Sequence, residues 1–476
     1  MTERRTFLEA IMENELISIC GKKNVSVDPV VLRSYTSDLS WLARSWRQLG
    51  WPVCEPEIVV WPETTAQVAS ILRLANRHKT PVTPYCGGAG VQGGTLPLLG
   101  GIIIDTKKMN RVIELDERNM TIRAQTGLIG QELEWFLNPK GYTSAHLPQS
   151  GYCSGLGGFL AVRSAGVLST KYGKIADMVQ GMEIVLPDGK ILQTTTAPDS
   201  AAGPRLDHLF MGSEGTLGII TEVTLAIHPL PEMRDFRGYT FPSLHAGIEA
   251  ARKILQHGLR PAAMRLSDEE ESKSHYNQDG AFFVIHFDGF KDLVELEMRE
   301  MMAIVEAEGG TDLGPEPGRK WWENRFFAAY PKASGKRFLG DGYLYAGQVL
   351  DTAGSFDYLE AIHVEMGKAA RKIRGTKFMA HFSHWYRTGG MMYPYIYAYD
   401  IEDEQSLADL HLQIVNVAVG AILRLGGTIN HHHGIGLILA PYMRQEWGEG
   451  FEALQSIKNA LDPNNIMNPG KLGFEL

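Results

Sequence analysis

The chain has 476 residues with a net charge of −9, of which 44% are hydrophobic and 21% charged. That length is too great for one ordinary core and predicts two or three domains of a globular protein. The acidic balance, without any basic run, argues against a nucleic-acid surface.

The first twenty residues carry Arg4 and Arg5, but Glu9, Glu13 and Glu15 interrupt their apolar positions. Phe7, Leu8, Ile11, Met12 and Leu16 recur at helical spacing, so an amphipathic helix is expected rather than a signal peptide. No run is read as approaching the ~20 apolar residues of a membrane span. Cys20, Cys54, Cys86 and Cys153 are scattered and form no CxxC, so neither zinc nor an iron–sulfur cluster is expected on thiolates. Reduced thiols and a cytoplasmic setting fit that usage.

Residues 1–48 read as a helical lead-in. A domain over 49–232 opens with the buried strand Ile58–Trp61, the capping box Thr64-Thr65-Ala66-Gln67 and a helix with the apolar stripe Val68, Ile71, Leu72 and Ala75. Pro81–Pro84 makes a second strand, completing a strand–helix–strand unit. Then comes Tyr85-Cys86-Gly87-Gly88-Ala89-Gly90-Val91-Gln92-Gly93-Gly94, which contains a GxGxxG spacing. A dinucleotide fold needs a helix starting at those glycines. Pro97, Gly100 and Gly101 precede the strand Ile102–Asp105 instead, so that reading is rejected. What survives is a glycine loop after a strand, whose N–H groups can line up on an anion such as a pyrophosphate.

Strands over 112–115 and 120–125 and a helix over 130–137 follow. A second glycine-rich segment runs from Pro148 through Ser150, Cys153, Ser154, Gly157 and Gly158, and continues as Arg163-Ser164-Ala165-Gly166. A hairpin is expected over 182–186 and 191–195, turning at Asp188-Gly189. A third motif, Gly212-Ser213-Glu214-Gly215-Thr216-Leu217-Gly218-Ile219-Ile220, enters a β-branched strand. Each loop alone is an ordinary turn; the three together suit a long polyphosphate cofactor.

From about Asp235 glycine thins out, and a second domain over 233–425 is expected. It has helices over 244–256, 292–308, 359–373 and 406–425, strands over 281–287, 378–387 and 391–399, and an aromatic-rich stretch over 319–330. Tyr393, Tyr395, Tyr397 and Tyr399 share one strand face. His381 and His384 are spaced like metal ligands, but on a strand they point to opposite faces, and no metal site is assigned. The segment 426–476 opens with Gly426-Gly427-Thr428-Ile429-Asn430-His431-His432-His433-Gly434-Ile435-Gly436. Its histidines can carry protons or bind metal. A last helix over 450–460 ends at Asp462-Pro463-Asn464-Asn465-Ile466-Met467-Asn468-Pro469-Gly470-Lys471.

Taken as a set, the three glycine segments and this ending resemble the vanillyl-alcohol oxidase type of flavoprotein, with the FAD-binding module of p-cresol methylhydroxylase. The resemblance spans about residue 25 to 476. It implies an α+β fold: a two-part FAD module, a cap domain over the isoalloxazine, and a C-terminal segment returning to the flavin site. It also implies FAD contacts from Pro84, Gly87, Gly88, Ala89, Gly90, Val91, Gln92, Pro148, Ser150, Cys153, Ser154, Gly157, Gly158, Arg163, Ser164, Gly166, Glu214, Gly215, Gly218, Ile219, Ile220, Asn468 and Lys471. Two branches compete. The segment 21–29 looks like the FAD-binding chain of glycolate oxidase and the D-lactate dehydrogenases. The histidine run, the segment 203–222 and Met264-Arg265-Leu266-Ser267-Asp268 look like alkyldihydroxyacetonephosphate synthase. The resemblance to the synthase implies active-site places for Tyr393, His433 and Arg265. Its lysine after the histidine motif is Leu437 here, and no counterpart to its organelle-targeting signal is expected. The metal-binding histidine of the D-lactate branch is replaced by Tyr393. Cys153 stands where some relatives bind flavin covalently, but Ala89 replaces their second anchor, so non-covalent FAD is expected.

The reaction expected is oxidation of a CH–OH group, in a 2-hydroxy acid or another alcohol, by hydride transfer to flavin N5. The base is expected to be His433 or His432, beside His431, with Tyr393 holding the hydroxyl oxygen. Arg265, Arg387 and Arg325 are candidate clamps for a carboxylate or phosphate. With no cluster ligands in the chain, electrons are expected to pass to an electron-transferring flavoprotein or an iron–sulfur subunit. A homodimer is expected. The alternatives are a synthase-like FAD transferase without net redox and a histidine-metal hydrolase.

Overall fold

The computed structural model describes residues 7–43, 54–326, 346–347, 350–398 and 404–476. Arg4, Arg5, Tyr399 and residues 327–330 of the aromatic-rich stretch lie outside them.

Half of the expected capping box forms as the sequence implies, and its return bond is shifted by one residue, to the N–H of Glu63 instead of the N-cap Thr64. Thr64 Oγ1 accepts the N–H of Gln67 at 3.3 Å, and Gln67 Oε1 accepts that of Glu63 at 2.7 Å. Such a cap stabilises a helix by about 1 kcal/mol. Helix Thr65–His78 buries Val68, Ile71, Leu72 and Ala75 on a four-stranded sheet, whose order is Val25–Ser26, Ile58–Val60, Ile102–Asp105, Val82–Tyr85. Its last three strands are parallel. Ile102–Asp105 therefore lies between the two strands of the strand–helix–strand unit. Leu16 and Cys20 of helix Phe7–Cys20 fill the same core, and Val25–Ser26 pairs with Ile58–Val60, so this part of the N-terminal stretch is built into the module.

The second part is a five-stranded antiparallel sheet, ordered Val112–Asp116, Thr121–Gln125, Ile219–Ala226, Val179–Val185, Ile191–Gln193. Ile219 packs into the core of the first sheet and Ile220 into that of the second. The third glycine motif thus ends where the two parts join.

Among the described residues the cap carries eight strands. Thr311–Asp312, Met233–Phe241, Ala281–Gly289, Ala263–Ser267, Thr376–Tyr386, Gly389–Ala398 and Ala346–Gly347 lie side by side, and Thr352–Ser355 also pairs with Gly389–Ala398. The turn expected at 388–390 is shifted: Tyr386 pairs with Gly389, so Arg387 and Thr388 turn the chain. Gly389 and Gly390 are strand residues paired with Ser355 and Gly354. A register shift between Ser383 and Tyr386 puts His384 at φ 52°.

Helix Glu404–Leu425 corrects one expectation. Its stretch Ser406–Leu425 has a mean hydropathy of 1.5 and is long and apolar enough to cross a membrane. Half of that window is buried, and Ile414, Val415, Ala418, Val419 and Ile422 belong to the cap core. The C-terminal segment then serves both halves. Leu439, Met443, Phe451 and Phe474 pack in the cap core, while Met467 bridges to Val82 and the Asn468 N–H donates to the Val82 carbonyl.

Candidate flavin and substrate site

The first glycine loop is drawn tight against the second. A Cβ on Gly87 would stand 1.9 Å from the Cys153 carbonyl oxygen. Among the described residues, no recorded hydrogen bond is donated by the backbone N–H of any residue from Gly87 to Val91. A row of unspent amides on a loop this close to its neighbour fits the pyrophosphate of a dinucleotide. Pro84 leads into the loop and touches Gly215 of the third motif. In the second loop, the Pro148 carbonyl accepts from Gly151, and that of Ser150 accepts from Cys153, Ser154 and the Cys153 thiol. Gly157 donates to Thr126 at 2.8 Å, and Gly158 lies in helix Leu156–Ala161.

Several residues expected on the cofactor instead hold these loops in place. Asn468 Nδ2 donates to the carbonyls of Gly94 and Glu214, and Lys471 Nζ to that of Leu96. Ser164 Oγ is bonded to His146 Nε2 at 2.8 Å, and Gly166 packs on the His146–Leu147 backbone. Arg163, at φ 53°, is exposed, and its charge bears on Lys174 and Tyr386. Ile219 and Ile220 spend their side chains in the two cores, with Gly218 just before them. Glu214 is buried and its carboxylate accepts the N–H groups of Ile435 and Gly436. Burial pushes its pKa up to about 7, against those two N–H bonds and the Lys471 charge. Gly436 closes the joint: at φ 53°, a Cβ there would lie 2.0 Å from the Gln92 carbonyl oxygen. That carbonyl accepts the N–H of Leu437 at 2.9 Å. The histidine loop is thus tied directly to the first glycine loop.

The histidines themselves are not extended, so they do not alternate between faces. They wrap one carboxylate, that of Asp351, which is fully buried. Asp351 Oδ1 accepts from His433 Nδ1 at 2.7 Å and Asn430 Nδ2 at 2.8 Å. Its Oδ2 accepts from the N–H groups of His431 and His432 at 2.9 and 2.7 Å, and lies 2.8 Å from His432 Nδ1. Burial pushes Asp351 up, but His433 and His432 outweigh it and hold the carboxyl well below the usual range. Burial, with the charge of His433, pulls His432 down to about 4, and burial pulls His146 down to about 3. His431 and His384 are also held well below 6.5 by burial. These are neutral imidazoles at pH 7. With Nδ1 directed at Asp351, Nε2 is the nitrogen that His432 and His433 have left to offer a substrate.

Asp351, His432 and His433 also offer ligand atoms within 4.8 Å of one another, a possible metal set. Their 2.7 and 2.8 Å separations are those of the hydrogen bonds just described.

Tyr393 stacks on His381 at 4.9 Å and meets the His433 ring edge-on at 5.8 Å. Burial raises its hydroxyl well above the usual value, leaving a neutral donor. Tyr393, Tyr395 and Tyr397 share the strand's less buried face. Arg265 lies beneath this wall but is already paired: its Nη2 is 2.7 Å from Glu271 Oε1, which also faces His381 and His275. It is a buried ion pair rather than an open clamp. Arg387 sits in the exposed hairpin turn next to Tyr386, where its carbonyl accepts from Gln256. Arg325 stacks on Trp322 at 3.8 Å and on Phe326 at 4.3 Å. His381 and His384 do separate, His384 Nδ1 bonding Ser169 Oγ at 2.6 Å.

Sequence reading missed Asp351, His146, Lys174 and Tyr386. Lys174 Nζ bonds the His431 carbonyl, and Tyr386 Oη lies 2.6 Å from His431 Nε2. Asp351 had one faint signal, an acid between Leu350 and Thr352 in an otherwise uncharged stretch; the others had none.

Comparison with known proteins gives the same outline. Residues 56–195 match the FAD binding domain, and residues 230–472 match the FAD linked oxidases, C-terminal domain. Alkyldihydroxyacetonephosphate synthase of Trypanosoma brucei brucei is 30% identical over 94% of this chain and 79% of its own. The FAD-linked oxidoreductase YgcU of Escherichia coli (strain K12) is 31% identical over 97% of this chain and 98% of its own. Glycolate oxidase subunit GlcD of Bacillus subtilis (strain 168) is 29% identical over 88% and 89%. A solved alkyldihydroxyacetonephosphate synthase superposes with a TM-score of 0.80 at 26% identity, covering 99% of this chain and 86% of that one. Substrate-bound p-cresol methylhydroxylase, at 18% identity and a TM-score of 0.79 over 99% and 98%, shares the fold. The α+β architecture and the FAD module read from the glycine segments are those of these proteins. The chain belongs to the FAD-linked oxidases, a family of enzymes, and its cofactor is FAD.

Proposed function

We propose that the protein oxidises a CH–OH group of a small molecule, a 2-hydroxy acid or another alcohol. The observation that carries this reading is the pair of imidazoles held by Asp351 beside the Tyr393 hydroxyl. FAD, when bound, supplies the hydride acceptor at N5. The Gly87–Val91 amides would hold its pyrophosphate. The base is His433 or His432, taking the hydroxyl proton at Nε2 as the hydride leaves. Asp351 fixes the tautomer that keeps Nε2 free and steadies the imidazolium that forms. Tyr393 donates to the substrate oxygen and sets the carbon's position. Electrons then pass to a protein acceptor, an electron-transferring flavoprotein or an iron–sulfur subunit, in a cytoplasmic setting.

A second reading is an FAD transferase without net redox, favoured by the likeness to the synthase. Against it, the position of that family's lysine is Leu437 here, which packs on Gly93. Anaerobic addition of D-2-hydroxy acids, aromatic alcohols and long-chain alcohols separates the two. Lasting bleaching of the flavin supports the oxidoreductase; an exchange product with the flavin left oxidised supports the transferase.

A further inference from the structure

His432, one of the two candidate bases, stands at one end of a chain of close polar contacts that the chemistry so far does not use. His432 Nδ1 has two neighbours: Asp351 Oδ2 at 2.8 Å and His431 Nδ1 at 3.0 Å. On the far side of its ring, His431 Nε2 is 2.6 Å from Tyr386 Oη. Tyr386 ends a cap strand beside the exposed turn and is 36% exposed, whereas the His432 side chain is 11% exposed and that of Asp351 is fully buried. The three links therefore run from the buried carboxylate outward to the surface.

We propose that His432, His431 and Tyr386 form a relay that carries the substrate's proton from the base to solvent. This rests on the reading of the site as an alcohol oxidoreductase. With cofactor and substrate bound against it, the base would be shut off from water, and the proton it has taken would need another way out. The transfer balances. A proton reaches Nε2 of His432, and the Nδ1 proton of His432, shared between Asp351 Oδ2 and His431 Nδ1, passes to Nδ1 of His431. The Nε2 proton of His431 passes to Tyr386 Oη, and the Tyr386 hydroxyl proton goes to water. One proton enters, one leaves, and no electrons move. The reverse sequence resets both tautomers when product departs and water reaches Nε2 of His432.

The surroundings suit conduction rather than storage. Lys174 bonds the His431 carbonyl, and its ammonium, with burial and the neighbouring His432 and His384, disfavours a resting imidazolium at His431. Asp351 faces the same Nδ1 of His432 as His431 does, and its charge draws the proton into the His432 ring. Among the described charged groups, Arg163 and Asp177 also face the exit, and both bear on Tyr386. Ser169 holds His384 to one side, so that its ring stacks on His431 without taking over the link to Tyr386.

The test is Tyr386→Phe, which keeps the ring and removes the hydroxyl. With FAD-loaded protein labelled with 15N-histidine, exchange of the His431 and His432 ring protons with water is expected to slow several-fold while FAD content and Tm stay unchanged. Unchanged exchange overturns the relay, whether or not any alcohol proves to be a substrate. In turnover, kcat in dilute buffer should fall several-fold with a larger solvent isotope effect. Added imidazole should restore kcat in a saturable way, and the first anaerobic flavin reduction should keep its rate. A loss of turnover that no small buffer restores would mean that the hydroxyl is only structural, and overturns the proposal. Wild-type protein whose flavin no alcohol bleaches would sink the oxidoreductase reading, while the exchange measurement still decides the relay.

Discussion

Asp351 and His433 meet at 2.7 Å, carboxylate oxygen to Nδ1, although they stand 82 positions apart in the chain. The same carboxylate takes two backbone N–H groups of the histidine loop, so it shapes the loop as well as orienting the ring. Asp351→Asn keeps the shape but removes the charge and one of the acceptor oxygens. Flavin reduction by substrate should slow by roughly 10²-fold, as partners that orient a ring commonly do. FAD content, read from absorbance at constant protein, should change little.

His433→Ala removes a candidate base and leaves the glycine loops untouched. The protein should purify yellow, with reduction slowed by about 10²- to 10⁴-fold. If His432 is the base instead, His432→Ala gives the larger loss. Stopped-flow reduction under anaerobic conditions compares them, and equal, near-wild-type rates in both variants would remove the imidazoles from the chemistry.

Glu214 gives a pH dependence whose sign can be worked out. Its folded pKa, about 7, lies above the ordinary 4.5, so the native state binds the proton more tightly than the unfolded chain. The associated stability is fully present below pH 4.5 and is lost as pH rises through 7, an effect of at most roughly 3 kcal/mol. Glu214→Gln should flatten Tm against pH between those limits. The neutral histidines act in the other direction. His432 and His381, each pulled down to about 4 chiefly by burial, contribute stability above 6.5 that is lost as pH falls through 4. A plot of Tm against pH in Glu214→Gln should therefore keep its acid limb.

Gly436→Ala tests the joint between the two loops. The added methyl meets the Gln92 carbonyl, and the positive φ penalises any side chain. A loss of about 2 kcal/mol or more is expected, together with weaker FAD retention, because the first glycine loop is the surface displaced. Thermal unfolding with and without added FAD measures both.

What was legible in the chain was local. The capping box at Thr64, the apolar stripe of the helix after it, the amides of Gly87–Val91 and the run His431–His433 each announce themselves within a dozen residues. Helical period, the conformational freedom of glycine and a clustered side-chain type are properties of short stretches. The FAD module could therefore be read before any contact was known.

Direction and partnership were not legible. Glu214 and Lys471 sit in motifs that read as cofactor-facing, yet one holds the histidine loop and the other a loop carbonyl. Arg265 reads as an open clamp, yet Glu271 already occupies it. Asp351 carries no motif at all, and only the folding of the C-terminal segment between cap and flavin module brings it under the histidines. A buried charge must find its partners wherever packing leaves them, here as far as the 375 positions between Lys471 and Leu96. Sequence by itself determined which chemistry the chain carries; tertiary structure decided which atoms are already engaged in hydrogen bonds and which remain free to react.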